Sequence, residues 1–266
     1  MNTSSQQASK QTFHPYLPFY TLLKREVLRF FSVAAQTLIT PVITASLYLL
    51  VFGVSLGSKI DLYPDLTYAQ FVVPGLILMG VMNQAFANTS SSIFIYRFFG
   101  GIVDLLVTPL TAPQFILAFT TAAMIRGILV GLATFLISLL FTGLPWMHPF
   151  LAAGMILIGA FLFAQFGIIA AIYSKNFDAL SMFTNFLILP LIYTGGLFYP
   201  VSHLPPFWQV ISRFNPMAYL IDGFRQCILG FGSFPLWLDF AVAGGISMLL
   251  FVWAWRLTVS GKGLRT

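Results

Sequence analysis

The chain has 266 residues, 58% of them hydrophobic, only 8% charged and 29 of them Phe, with a formal net charge of +6. A water-soluble domain of this length needs far more charge to cover its surface, so the composition excludes an ordinary soluble fold and makes lipid the solvent. A lone cysteine, Cys227, excludes an internal disulfide and a Cys-rich metal centre; the basic excess is placed as membrane orientation would place it, and no nucleic-acid partner is expected.

In chain order, Asn2 to Gln11 is polar and no short apolar core sits close to the start, so no cleavable signal is expected. Tyr16 to Phe31 reads as an amphipathic interface helix, with Leu23, Val27, Phe30 and Phe31 on one side and Lys24, Arg25, Glu26 and Arg29 supplying its charges. Whether it only anchors or also docks a partner stays open here.

Six spans follow, because a crossing helix needs about 20 apolar residues and the charge-free stretches supply them. They are predicted at Ala34 to Leu56, Ala69 to Ser91, Gln114 to Phe141, Phe150 to Tyr173, Leu180 to Phe198 and Leu236 to Thr258. The turn from Gly143 to Pro149, containing Pro145 and Trp146, divides spans three and four. The division is thus residues 1–33 as tail and interface helix, 34–258 as the six-span membrane domain and 259–266 as a second tail.

Two connections carry signals of their own. Between spans two and three, Ile102, Leu105 and Leu106 recur at helical spacing after Gly100 and Gly101, and Pro109 stops the run. Such an apolar ridge fits a groove on a partner or the membrane surface. Between spans five and six, Pro200, Pro205, Pro206 and Pro216 break an apolar segment into short external helices; Asn215 caps one from Pro216 to Leu229 and Gly230 ends it. On that helix Asp222 and Arg225 stand three apart and are expected to pair.

An even number of spans puts both termini on one side. Lys10, Lys24, Arg25, Arg29, Arg97, Lys175, Arg256, Lys262 and Arg265 share that side, against Lys59, Arg213 and Arg225 on the other, so it is expected to be cytoplasmic. Arg126 falls within span three, where an Arg costs roughly 2.5–3.5 kcal/mol on insertion scales and must snorkel or face a polar interior. Its role, structural or cargo-facing, stays open. Amides and hydroxyls cluster in spans two and five, and Asn83, Gln84, Asn185 and Tyr193, with Arg126, are candidates for a path; hydrogen bonding between helices is the competing account.

The acids, Glu26, Asp61, Asp65, Asp104, Asp178, Asp222 and Asp239, all fall in loops or at span ends, which disfavours an ion-coupled carrier without excluding it. His14, His148 and His203 are scattered over both sides and form no catalytic or metal-ligand motif, so no catalytic residue and no metal site is expected. A non-transporting structural protein is the remaining alternative.

Three segments resemble the ABC-2 permease family of export subunits. They are Leu22-Leu23-Lys24-Arg25-Glu26 followed by Gln36-Thr37, Pro41 and Leu49-Leu50-Val51-Phe52-Gly53; the stretch from Arg97 through Asp104-Leu105-Leu106-Val107-Thr108-Pro109; and Thr194-Gly195-Gly196-Leu197-Phe198-Tyr199-Pro200 with Leu204-Pro205-Pro206 and Asn215-Pro216 through Arg225. Gly101 stands where the family commonly has Thr, and Phe98-Phe99 replaces a more charged pair. The texture is similar to small inner-membrane permeases of Gram-negative bacteria. The resemblance implies a pair of permeases, expected to be identical, joined to two copies of a cytoplasmic ABC ATPase that binds ATP and Mg and drives cargo outward. It also makes Arg97, Gly100, Ile102, Asp104, Leu105, Leu106 and Pro109 the ATPase-coupling segment. No cofactor is expected on this chain, which has no G-x-x-x-x-G-K-[ST] loop, Gly261-Lys262-Gly263 being followed by Leu264. An amphiphilic, lipid-like or lipid-linked glycan cargo is expected from a membrane interior nearly free of charge.

Overall fold

The computed structural model describes residues 16–55, 57, 66–102 and 108–261. Its elements are α1 (Leu17–Ser32), α2 (Ala34–Tyr48), which continues as π-helical turns over Leu49–Ser55, α3 (Tyr68–Phe98), α4 (Ala112–Ser138), α5 (Pro149–Tyr173), α6 (Phe177–Thr194), α7 (Pro206–Arg213), α8 (Pro216–Leu229) and α9 (Leu236–Ser260). No strand occurs among the described residues. Six helices, α2 to α6 and α9, are long and apolar enough to cross a membrane.

Local chemistry starts these helices. Thr67 and Thr111 each open one with a reciprocal cap: the Thr67 hydroxyl accepts from the Gln70 N–H at 3.3 Å while the Gln70 side-chain oxygen accepts from the Thr67 N–H at 3.0 Å, and Thr111 and Gln114 repeat the arrangement. Asn215 Oδ1 accepts from the Met217 N–H at 2.9 Å, Pro216 follows, and Gly230 closes α8 in the left-handed region at φ +85°. That short helix therefore lies where its signals predict.

The spans agree with the sequence expectation to within a turn, except at the far ends of α3 and α6, the latter stopping at Thr194, four residues before Phe198. α3 runs to Phe98, about two turns past Ser91; at 1.5 Å per residue its 31 residues outreach the ~30 Å hydrocarbon core. Arg97 explains the extension, because its guanidinium donates to the carbonyls of Ala171 at 2.6 Å, Ile172 at 2.9 Å and Ser174 at 3.0 Å, satisfying the orphaned end of α5. α6 begins early at Phe177, where Asn176 Oδ1 accepts from the Ala179 N–H at 2.8 Å. The middle of α6, Phe183–Ile188, is π-helical.

α3 is the axis of the molecule, packed between α4 and α5. Of its most apolar stretch 78% of residues are buried, against 17% in α2 and 11% in α6. Small residues permit the close approach: a Cβ on Gly127 of α4 would stand 2.7 Å from the Val81 carbonyl oxygen, and one on Gly167 of α5 would stand 2.6 Å from that of Phe86. One apolar cluster joins Phe71, Leu76, Met82, Met155, Phe163, Leu220 and Phe224, so α8 is buried in the bundle around most of its circumference. A second, at the opposite end, joins Leu22, Phe94, Phe115, Phe119, Ile168 and Ile172.

Candidate functional site

The polar side chains of α3 do not enter either cluster as a group. Asn83 and Gln84 line two cavities at once. One, of about 170 Å³, lies against α2 and is completed by Thr40, Thr44 and Thr134, whose buried hydroxyl has no partner. The other, of about 350 Å³, lies against α6 and is completed by Ser90, Ser91, Ser181 and Thr184. The result is a groove of hydroxyls and amides along α3, flanked by two of the three least covered spans.

At the end that carries α8 the groove meets aromatic side chains. The Tyr48 and Tyr193 hydroxyls are 3.3 Å apart across α2 and α6, and the Phe198 ring packs tilted 5.3 Å from Tyr48 and 4.9 Å from Phe52, centroid to centroid. The Tyr68 hydroxyl donates to the Phe198 carbonyl at 2.7 Å and that of Tyr199 to the Tyr193 carbonyl at 2.6 Å. Burial raises the Tyr199 phenol above its ordinary pKa, which favours its role as a donor to the Tyr193 carbonyl.

At the other end three helices converge on a charged cluster. Glu26 of α1 is fully buried; it accepts from the Ser92 hydroxyl, from the Tyr96 hydroxyl at 3.0 Å and from Arg29 at 3.2 Å. Arg29 also reaches Asn88 Oδ1 at 3.4 Å, and Arg126 of α4 donates to that same oxygen at 3.3 Å and to Gln84 Oε1 at 3.0 Å. Gln84 belongs to both this cluster and the groove. Arg25 lies over the Tyr96 ring and Arg126 over that of Phe30.

Of the path candidates, the structure thus brings Asn83, Gln84 and Arg126 together and places Tyr193 at the aromatic end. Asn185 is exposed and outside the groove lining, which Thr184 supplies instead. The π-helical turns of α6 widen the helix and shift which residues share a face.

Other expectations are corrected. The buried stripe of α1 is Leu22, Glu26 and Phe30, so of the expected apolar side only Phe30 is fully buried and Leu23, Val27 and Phe31 are not; Glu26 turns inward because hydroxyls from α3 await it, while Lys24 and Arg25 stay exposed. Asp222 and Arg225, expected to pair, feel each other's charge, and each also holds backbone groups. Asp222 Oδ2 accepts from the backbone N–H groups of Ser233 at 2.7 Å and Phe234 at 2.9 Å, and Arg225 donates to the carbonyls of Phe71 at 3.2 Å and Gly196 at 2.8 Å. Each charge serves a neighbouring loop or span end. In the segment expected to couple to an ATPase, Arg97 caps α5, Gly100 turns at φ +77°, and Pro109 is exposed. Ile102 is buried in the second cluster, not offered to a partner. Asp104, Leu105 and Leu106 lie outside the described residues.

Sequence reading overlooked Ser92 and Tyr96 and the junction at Asn88. A signal was there: Gln84, Asn88, Ser92 and Tyr96 recur every fourth residue, one polar stripe beside the groove residues Asn83, Ser90 and Ser91.

Comparison with known proteins agrees with this architecture. Residues 18–229 match the family model of the ABC-2 type transporter. The inner membrane transport permease YadH of Escherichia coli (strain K12) is 38% identical over 242 residues, covering 91% of this chain and 94% of that protein. Nodulation protein J of Rhizobium leguminosarum bv. viciae is 24% identical over 220 residues, 80% of this chain and 83% of that one. The matched segment runs from α1 through α8 and takes in the groove and the charged cluster; the chain is a multi-pass membrane protein and belongs to the ABC-2 type transporter family.

Proposed function

We propose that this chain is the permease subunit of an ATP-driven exporter in a bacterial inner membrane, with both termini cytoplasmic. Two copies pair, each joined to a separate ABC ATPase that supplies ATP and Mg chemistry, and an amphiphilic cargo moves along the groove of α3. In this reading α1 is an interface helix on the cytoplasmic side, the segment around Leu105 and Leu106 is a coupling helix, and α7 and α8 stand at the external face.

The observation that carries the reading is the groove itself. A line of amides and hydroxyls from Asn83 to Ser91 is left between two spans that the chain hardly covers, and polar surface of that kind is costly against lipid. A second copy set over it makes an enclosed passage with polar groups for a headgroup and aromatic walls for a tail. The aromatic cluster at Tyr48, Tyr193 and Phe198 then closes the passage outward. The names of YadH, a transport permease, and the wide coverage of that alignment support the same class. A groove without an acid also speaks against an ion-coupled carrier.

The test is purified permease with its ATPase in lipid vesicles, scanned with amphiphiles and hydrophilic solutes. ATP-dependent movement of an amphiphile is expected; movement of a small hydrophilic ion, with no response to any amphiphile, overturns the cargo class. The double variant Leu105→Asp, Leu106→Asp is expected to abolish co-purification with the ATPase while membrane insertion persists. Unchanged coupling would remove that segment from the contact.

A further inference from the structure

The charged cluster is one negative charge short in more than one place. Arg29 and Arg126 share this cluster with a single carboxylate, Glu26, which Arg29, Ser92 and Tyr96 already occupy. Arg126 has no carboxylate within 4 Å among the described residues. Its hydrogen-bond partners are two neutral amide oxygens, Gln84 Oε1 at 3.0 Å and Asn88 Oδ1 at 3.3 Å, and the second is shared with Arg29 at 3.4 Å. Those shared contacts are longer than the 2.9–3.0 Å usual for N–H···O.

Asn88 adds an independent sign. The residue is fully buried, yet its side-chain Nδ2 has no acceptor. Flipping the amide does not help, because it would turn an N–H donor onto two guanidiniums. A buried donor left unmade beside two arginines that converge on one neutral oxygen is the complement of a missing anion, which has lone pairs enough for all three.

The setting names the kind of molecule that brings the anion. Arg29 is one-third exposed, and beside it on α1 the large exposed side chains are the apolar Leu28 and Phe31 and, one turn back, the cationic Arg25. An edge of this kind, apolar with a cation beside it, suits the boundary between headgroups and acyl chains. We propose that Arg29, Arg126 and Asn88 bind the anionic headgroup, phosphoryl or carboxyl, of an amphiphile whose tail lies against Leu28 and Phe31. Through Gln84 the bound headgroup stands at the mouth of the groove, and as an entry point for cargo the site rests on the exporter reading above. As an anion site it does not.

The full chain, purified in detergent, is titrated with phosphatidylglycerol and with phosphatidylcholine of the same acyl chains, and bound molecules are counted by native mass spectrometry. One tightly held phosphatidylglycerol is expected, with phosphatidylcholine at least about tenfold weaker, the discrimination expected of a charge-assisted fork. Arg126→Gln should erase the difference and Arg126→Lys should keep part of it. Asn88→Ala should weaken the anionic lipid alone. Arg256→Gln, an exposed cation on α9, should change nothing.

Should Arg126→Gln fail to fold, the Arg126→Lys and Asn88→Ala titrations carry the same decision. Equal affinity for the two lipids, wild-type binding in these variants, or displacement by millimolar inorganic phosphate overturns the proposal. Vesicle transport then separates the sources. A phosphatidylglycerol that stays bound through turnover marks a resident lipid; one displaced by a transported anionic amphiphile marks a cargo site. Headgroup-selective binding without ATP-driven movement refutes the exporter reading alone, and unselective binding refutes this one alone.

Discussion

Glu26 shows how far a single residue can depart from what its neighbours suggest. Placed between Arg25 and Arg29 on an amphipathic segment, it reads as part of a solvated or headgroup-facing edge. It is instead fully buried, because α3 offers the Ser92 and Tyr96 hydroxyls one turn apart. Partners 66 and 70 residues away in the chain leave no trace around Glu26 itself, which is why its burial was not legible although the polar stripe on α3 was. Glu26→Ala would strand two hydroxyls and Arg29, and truncating one partner of a buried charged network costs about 3–5 kcal/mol. A lower Tm in detergent is expected, with Glu26→Gln falling between the two; an unchanged Tm for both would show that α1 docks without this anchor. Cys227 gives a second prediction at this scale. It is fully buried, and burial, helped by the nearby Asp239 carboxylate, pushes its thiol up to about 11. Since thiolate appears only as pH approaches that value, maleimide labelling of the folded protein at pH 7 should be negligible and should appear on unfolding.

Helix by helix, the sequence was readable wherever the determinant is local. Six apolar runs, the Asn215–Pro216 start of α8 and its Gly230 end are all short-range signals, and each element stands where they put it. What escaped was set by contact: the extension of α3 depends on the carbonyls of α5 accepting from Arg97, and the π-helical turns of α6 carry no sequence mark of their own. Close packing has the same character. In an apolar helix every Gly looks alike, yet a Cβ on Gly167 would collide with the Thr89 hydroxyl and stand 2.6 Å from the Phe86 carbonyl oxygen, whereas one on Gly244 would meet nothing within 4 Å. Gly167→Val is therefore expected to force α3 and α5 apart, costing more than the roughly 1–3 kcal/mol of ordinary overpacking. Gly244→Ala should be neutral or stabilising by up to about 1 kcal/mol, as for Gly in a helix with free space. Thermal unfolding of the two variants side by side checks the contrast, and equal losses would contradict the packing.

At the scale of the molecule, the unequal cover of the spans is the feature to explain. α2, α6 and α9 all expose large apolar side chains: Ile43 and Leu47 on α2, Met182 and Phe186 on α6, Met248 and Leu249 on α9. Lipid is an adequate neighbour for α9, whose outward face adds Trp253 and Trp255 and no groove of hydroxyls. It is a poor one for the side bounded by α2 and α6, where Asn83, Gln84 and Ser91 are part-exposed between them. Covering that side with a second copy related by a two-fold axis uses one self-complementary surface and closes the groove in both chains at once. Copies of the same α6 residue would then approach each other, and copies of an α9 residue would not. Starting from a Cys227→Ala background, Phe186→Cys or Met182→Cys is expected to give a disulfide-linked dimer on mild oxidation in native membranes, and Leu249→Cys is expected to stay monomeric. Crosslinking through Leu249 alone would move the seam to α9 and leave the groove facing lipid, and the passage proposed along α3 would fall with it.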